Sequence, residues 1–214
     1  RDGRDGKDVL PGPKGPPGLK GEIGHQGVRG PPGPKSGGVQ YVRWGRSACP
    51  SNATLVKIRV IACSHKGGAS DYVCLPETPK YGRYKDGLQS LGGYMYGAEY
   101  EVSFELFTKS GLYDHEVPCA VCSVQTPSAK LMIPATYECP AGWKREYHGY
   151  LMTEHSKHIH QTEFICVDQD AEFVSGTKPD LDGAVLYPVE GRCGSLPCLP
   201  YVEGRELTCV VCTK

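Results

Sequence analysis

Val117-Pro118-Cys119-Ala120-Val121-Cys122 returns 90 positions later as Leu207-Thr208-Cys209-Val210-Val211-Cys212. Two further cysteines keep the interval: Cys49 is answered by Cys139 after 90 residues and Cys74 by Cys166 after 92. Their neighbours recur as well, Ala48-Cys49-Pro50 as Glu138-Cys139-Pro140 and Tyr72-Val73-Cys74-Leu75 as Phe164-Ile165-Cys166-Val167. Matched spacing with matched neighbours marks a tandem duplication, so the C-terminal part is expected to hold two similar modules, residues 41–126 and 127–214. Each Cys-x-x-Cys pair encloses Ala-Val or Val-Val within a strand-like run, whereas a thiol redox centre places its first cysteine at the start of a helix. Zinc held by Cys119, Cys122, Cys209 and Cys212 is a second reading of the pairs, and structural disulfides are the favoured one. Thr54–Ile61 is rich in β-branched residues, and Tyr100–Phe107 alternates apolar with polar as a half-buried strand does. Shorter strand-like runs fall at Leu131–Ile133, Glu163–Val167 and Glu206–Val211. No segment sustains a 3.6-residue period, so these modules are read as all-β.

Upstream of the modules the chain changes character. Gly3, Gly6, Gly12, Gly15, Gly18, Gly21, Gly24, Gly27, Gly30 and Gly33 all fall on multiples of three, and only Val9 breaks the series. Glycine at every third position is what a collagen triple helix requires, because that residue faces the crowded common axis. Residues 1–35 therefore read as a collagen-like Gly-X-Y stalk interrupted at Val9, and its eight unbroken triplets would make a rod of about 70 Å at roughly 3.1 Å per residue. Pro11, Pro17 and Pro32 occupy the third position of their triplets, where hydroxyproline is usual. Residues 36–40 form the junction, with Ser36-Gly37-Gly38 ending the triplets.

The 214 residues carry 24 basic and 24 acidic side chains, but the balance is uneven: residues 1–36 hold a net +3 and the remainder a net −3. No bias toward nucleic acid follows from the neutral whole. No uncharged apolar run approaches the ~18 residues of a membrane span. Eleven cysteines, all beyond the stalk, point to an oxidising compartment and to secretion with a leader already removed.

A collagen stalk followed by a duplicated cysteine module resembles the short-chain, spongin-like collagens of invertebrates. More distantly, the head is similar to the C-terminal non-collagenous domain of type IV collagen. The resemblance spans nearly the whole chain and rests on the triplets, Val117–Cys122, Leu131-Met132-Ile133-Pro134, Tyr150-Leu151-Met152, and Cys193-Gly194-Ser195-Leu196-Pro197-Cys198 through Cys212. It implies nested bridges, Cys49 with Cys122, Cys74 with Cys119, Cys139 with Cys212 and Cys166 with Cys209, plus a local loop closed by Cys193 and Cys198. It further implies a homotrimer, alone or as a hexamer of two trimers, in which head association sets the register of the stalk. Cys63 is left over, as a buried thiol or a bridge between chains.

Other candidates follow from the residues themselves. Asn52-Ala53-Thr54 is an N-glycosylation sequon. His148, His155, His158 and His160 cluster, and His158 and His160 would share a strand face, as metal ligands can. Asp168, Asp170 and Glu172 alternate likewise and could hold calcium, so a structural calcium or other metal is the one cofactor to look for. Tyr81, Tyr84, Tyr94, Tyr96 and Tyr100, set among glycines, offer either a contact surface for glycan or protein or a loop packed into the trimer interface. No catalytic constellation stands out, so the chain is not expected to be an enzyme. The expectation is a secreted matrix or fibre collagen that works by self-assembly, with other matrix proteins or glycans as further partners. The alternative is a soluble, lectin-like collagenous recognition protein that binds glycans multivalently through its heads.

Overall fold

The computed structural model describes residues 3, 6, 10–22, 37–50, 54–62, 68–126, 129–176 and 183–214, with 54–59 described by their backbone alone. The chain divides into two units, Arg1–Pro34 and Lys35–Lys214. In the first, residues 10–22 are exposed and form neither helix nor strand. Pro11 and Pro17 lie among them, and a Cβ built on Gly12, Gly15, Gly18 or Gly21 would meet nothing within 4 Å. Val9, Pro32, Asn52 and Cys63 lie outside the described residues.

The second unit is all-β and disulfide-rich. Its strands are β1 (Val39–Trp44), β2 (Thr54–Ala62), β3 (Val73–Pro76), β4 (Tyr96–Tyr100), β5 (Pro118–Val124), β6 (Lys130–Pro134), β7 (Lys144–Thr153), β8 (Ile165–Asp168), β9 (Ala184–Pro188) and β10 (Thr208–Thr213). Among the described residues there is no helix, and so none long and apolar enough to cross a membrane. The strands join in the order β6-β10-β7-β8-β1-β5-β2-β4-β9, with β3 on β2, and a β7–β9 pairing brings the sheet nearly to closure.

The duplication is visible strand by strand. In module 1, β5 lies between β1 and β2, and β2 also carries β3 and β4; in module 2, β10 lies between β6 and β7, and β7 also carries β8 and β9. Trp44 sits opposite Cys119 as Pro134 sits opposite Cys209. Loop hydrogen bonds repeat too: Gly45 N donates to Pro118 O as Ala135 N does to Thr208 O, and Val117 N to Ala98 O as Leu207 N to Val189 O. Even the left-handed turn is kept, with Gly45 at φ 83° and Ala135 at φ 61°. Glycine is required at the first of these for a second reason, since a Cβ there would lie 2.9 Å from Val167 Cγ1.

The five bridges join Cys49 to Cys122, Cys74 to Cys119, Cys139 to Cys212, Cys166 to Cys209 and Cys193 to Cys198, the pairs the resemblance implies. The nesting follows from the sheet. Cys119 and Cys122 stand on the central strand β5 with odd spacing, so their side chains leave opposite faces, and each face receives its own partner. With all four sulfurs of the two pairs in disulfides, no thiolate remains there for zinc.

The modules share one core. Trp44, Tyr100, Val117 and Phe107 from the first pack with Met152, Val167 and Leu186 from the second, and full burial of each such side chain contributes roughly 1.5–3 kcal/mol. One sequence expectation changes. The alternation over Tyr100–Phe107 is not a strand: β4 ends at Tyr100, and Val102 and Phe107 reach the core from an irregular loop that leaves Phe104 half exposed. The longest strand, β7, is one the strand-like runs of the sequence do not mark, and its burial pattern is irregular.

Candidate assembly interface

Inside the chain the modules meet where β1 runs parallel to β8, with Trp44 opposite Val167. The Arg43 guanidinium grips Asp168 Oδ2 through Nε and Nη2, both at 2.7 Å, while Asp168 Oδ1 accepts the Asp170 amide at 2.9 Å. Tyr147 places its hydroxyl between the two strands, 3.0 Å from Val42 O and 2.9 Å from Cys166 O, and burial drives its ionisation far above the ordinary phenol range. Tyr41 donates to Glu146, a buried carboxylate that also receives Thr213 Oγ1 and Lys144 Nζ. Burial first, and then Glu146, push the Tyr41 hydroxyl upward in the same way.

A segment after β8 completes the junction. Residues 169–176 of module 2 lie on module 1: Glu172 N donates to Gly45 O at 2.8 Å, Val174 N to Glu116 O at 3.1 Å, and Arg46 Nη1 to Asp170 O at 2.8 Å. The Glu172 carboxylate accepts both the amide and the hydroxyl of Ser47. Burial alone would raise its pKa, but these two hydrogen bonds with the charges of Arg46 and Lys109 outweigh it and hold the group below the usual value. Asp168, Asp170 and Glu172 thus do not form the calcium face expected from their alternation. Asp168 and Glu172 are spent on Arg43 and Ser47, and the chain turns after β8.

The same surfaces in the other module are open. Strand β8 is buried at all four residues, whereas its counterpart β3 is mostly exposed. Val73 is 36% and Leu75 41% accessible, against 3% and 0% for Ile165 and Val167. On the other side, Leu131 of β6 is 39% accessible where its counterpart Tyr41 is 2%. Among the described residues β3 pairs only with β2 and β6 only with β10. The counterpart of the docking segment is the β3–β4 loop, residues 77–95, which is exposed throughout. Tyr81, Tyr84, Leu88 and Leu91 are each at least 74% accessible, a concentration of exposed apolar side chains on one loop. Four of the five tyrosines singled out from the sequence thus lie on or beside this loop. Tyr100 does not belong with them, being fully buried and hydrogen-bonded to Glu172 O at 2.9 Å.

The histidines lie elsewhere. His158 and His160 sit in the turn between β7 and β8, not on a strand, while His148 is on β7. That turn borders a cleft of about 840 Å³ lined by both modules, including Phe104, Tyr113, Glu154, His158, Phe164 and Tyr187. Across the same junction Tyr72 donates to Val185 O at 3.0 Å and takes its place beside Thr162 at 3.1 Å. Glu163 accepts the Tyr72 amide at 3.1 Å, and burial raises its pKa despite that bond.

No protein-family model matches the chain, and no solved structure matches it.

Proposed function

We propose that this chain is a secreted, homotrimeric short-chain collagen, a structural component of an extracellular matrix or fibre, whose duplicated head drives assembly. Five disulfides belong to an oxidising, extracellular setting. One observation carries the assembly: the third strand of the repeat is buried in module 2, where it meets module 1, and exposed in module 1, where among the described residues it pairs with β2 alone. A second copy can supply the missing contact, its β6 taking the place beside β3 that β1 takes beside β8, and the 77–95 loop docking near its Ala135 and Glu206 as residues 169–176 dock near Gly45 and Glu116. Such a contact is heterologous, each copy offering one edge and receiving another, and heterologous contacts close into a ring where their rotation closes and run on as a filament where it does not. The stalk sets the number: a Gly-X-Y rod needs three chains, so the ring has six modules. Ordering of three stalk ends at one head then brings the triplets into register, and hydroxylation at Pro11, Pro17 and Pro32 would stiffen the rod.

The lectin-like alternative would use the same exposed tyrosines for glycan. Their place in the repeat, equivalent to the segment that docks on module 1, supports assembly instead. The test is Leu75→Lys, which sets a charge on the open β3 edge, a device that blocks strand addition. Sedimentation of the full chain should show the variant shifted from trimer toward monomer with its bridges intact. A variant that remains as fully associated as the parent would overturn the edge assignment.

A further inference from the structure

The duplication lets the two docking segments be compared position by position. Within the chain, β8 and the segment after it present Asp168, Asp170 and Glu172, and module 1 receives them on cations. Arg43 holds Asp168 at 2.7 Å, Arg46 reaches Asp170 O at 2.8 Å, and Glu172 lies within reach of the charges of Arg46 and Lys109. Strands β3 and β8 both end two residues past the second cysteine of their repeat, at Pro76 and Asp168. Counted from there, Asp168, Asp170 and Glu172 are replaced in module 1 by Pro76, Thr78 and Lys80. Lys80 opens the stretch Lys80-Tyr81-Gly82-Arg83-Tyr84-Lys85, which holds three cations and no acid and is exposed at every residue. Glu77 and Asp86 lie just outside it.

The receiving surface changes sign as well. Trp44 opposite Cys119 and Pro134 opposite Cys209 put β1 and β6 in register, so Arg43, Arg46 and Ala48 correspond to Ile133, Thr136 and Glu138. Two cations are gone and one exposed carboxylate, Glu138, is gained. Glu116 and Glu206 are common to the two modules, and Arg145, beside the module 2 turn, donates to Tyr137 O at 3.0 Å.

We propose that these inverted charges choose the partner of the 77–95 loop: it docks on module 2 of a second copy, with Lys80, Arg83 and Lys85 against Glu138 and Glu206, and is turned away from module 1. On module 1 the three cations would face Arg43, Arg46 and Lys109. Like charges brought together at an interface penalise a wrong partner more than exposed opposite charges reward a right one. The acidic segment after β8 is equally misplaced on module 2, where Ile133 and Thr136 stand in place of the two arginines. Modules 1 and 2 therefore alternate through the assembly. The inference rests on the assembly proposed above and adds what selects its contact.

The test uses the full, unreduced chain. In sedimentation at ~50 mM salt, Lys80→Glu with Arg83→Glu and Lys85→Glu should weaken self-association about tenfold or more, and the loss should shrink near 1 M salt, where the screening length is about 3 Å. Glu138→Lys added to the same chain should recover part of the loss. All four side chains are exposed, so these variants leave the core untouched. Carbodiimide coupling of mixed light and isotope-labelled parent chains should join Lys80 or Lys85 of one copy to Glu138 or Glu206 of another. Association that the triple reversal leaves unaltered at low salt, or links that run to Glu116 of another copy instead, would overturn the charge selection while leaving the assembly in place. A parent chain that sediments as a monomer overturns the assembly and the selection together.

Discussion

Loss of the outer bridge of module 1 is the perturbation whose size follows most directly from the connectivity. Cys49 and Cys122 lie 73 residues apart, and Cys74 and Cys119, nested within them, 45 apart. With the inner bridge intact, the outer one closes a circuit of only about 28 residues, for which chain entropy gives roughly 3.6 kcal/mol at room temperature. Treated alone, a 73-residue loop would give about 4.4 kcal/mol. Cys49→Ala with Cys122→Ala, in a Cys63→Ser background to prevent exchange, should therefore lower the guanidinium unfolding free energy by about 3–4 kcal/mol. Removal of both bridges of the module sums to about 7–8 kcal/mol, comparable with the whole stability of an ordinary domain. Because Trp44 and Phe107 pack with Met152 and Leu186 in one core, module 2 should unfold with module 1 in a single transition, followed by fluorescence and far-UV dichroism together. A loss below about 1 kcal/mol, or a second module that keeps its own transition after the first is unbridged, would refute the nested, shared-core reasoning.

Two further outcomes are expected. Arg43→Met leaves the Asp168 carboxylate, 2% accessible, without its cation and should cost about 3–5 kcal/mol, a fall of roughly 6–20 °C in Tm. The double variant Arg43→Met with Asp168→Leu should recover most of it, and an unaltered Tm in the single variant would contradict the buried pair. Burial raises the hydroxyl pKa of Tyr41, Tyr72, Tyr100 and Tyr147, so the fold favours their neutral form. Their contribution is complete below about pH 10 and is lost as pH rises from there toward the folded-state values. In an alkaline absorbance titration these four should ionise only as dichroism is lost. Ionisation of these four ahead of unfolding would exclude it.

Legibility in the sequence followed the range of the interaction. The duplication and the strands at the Cys-x-x-Cys pairs were readable because their spacing is local and repeated. Tyr100–Phe107 misled because alternation reports one buried face, and an irregular loop folded over a core produces the same pattern for a few residues. His158 and His160 read as one strand face for a similar reason, two residues apart being a strand signal only where backbone pairing exists. The Arg43–Asp168 pair spans 125 residues, and nothing in either local sequence announces it. The open edge left a faint trace: the third strand ends in Asp168 where it is buried and in Pro76 where it is exposed, and proline is tolerated at a sheet edge.

Assembly is the central claim, and the mass of the native particle tests it most directly. Sedimentation equilibrium or light scattering of the full, unreduced chain of 23.2 kDa should give three chains, or six if two rings associate, at concentrations where the bridges remain intact. A particle that stays at the mass of one chain would leave β3, β6 and the 77–95 loop without their partner and contradict the account.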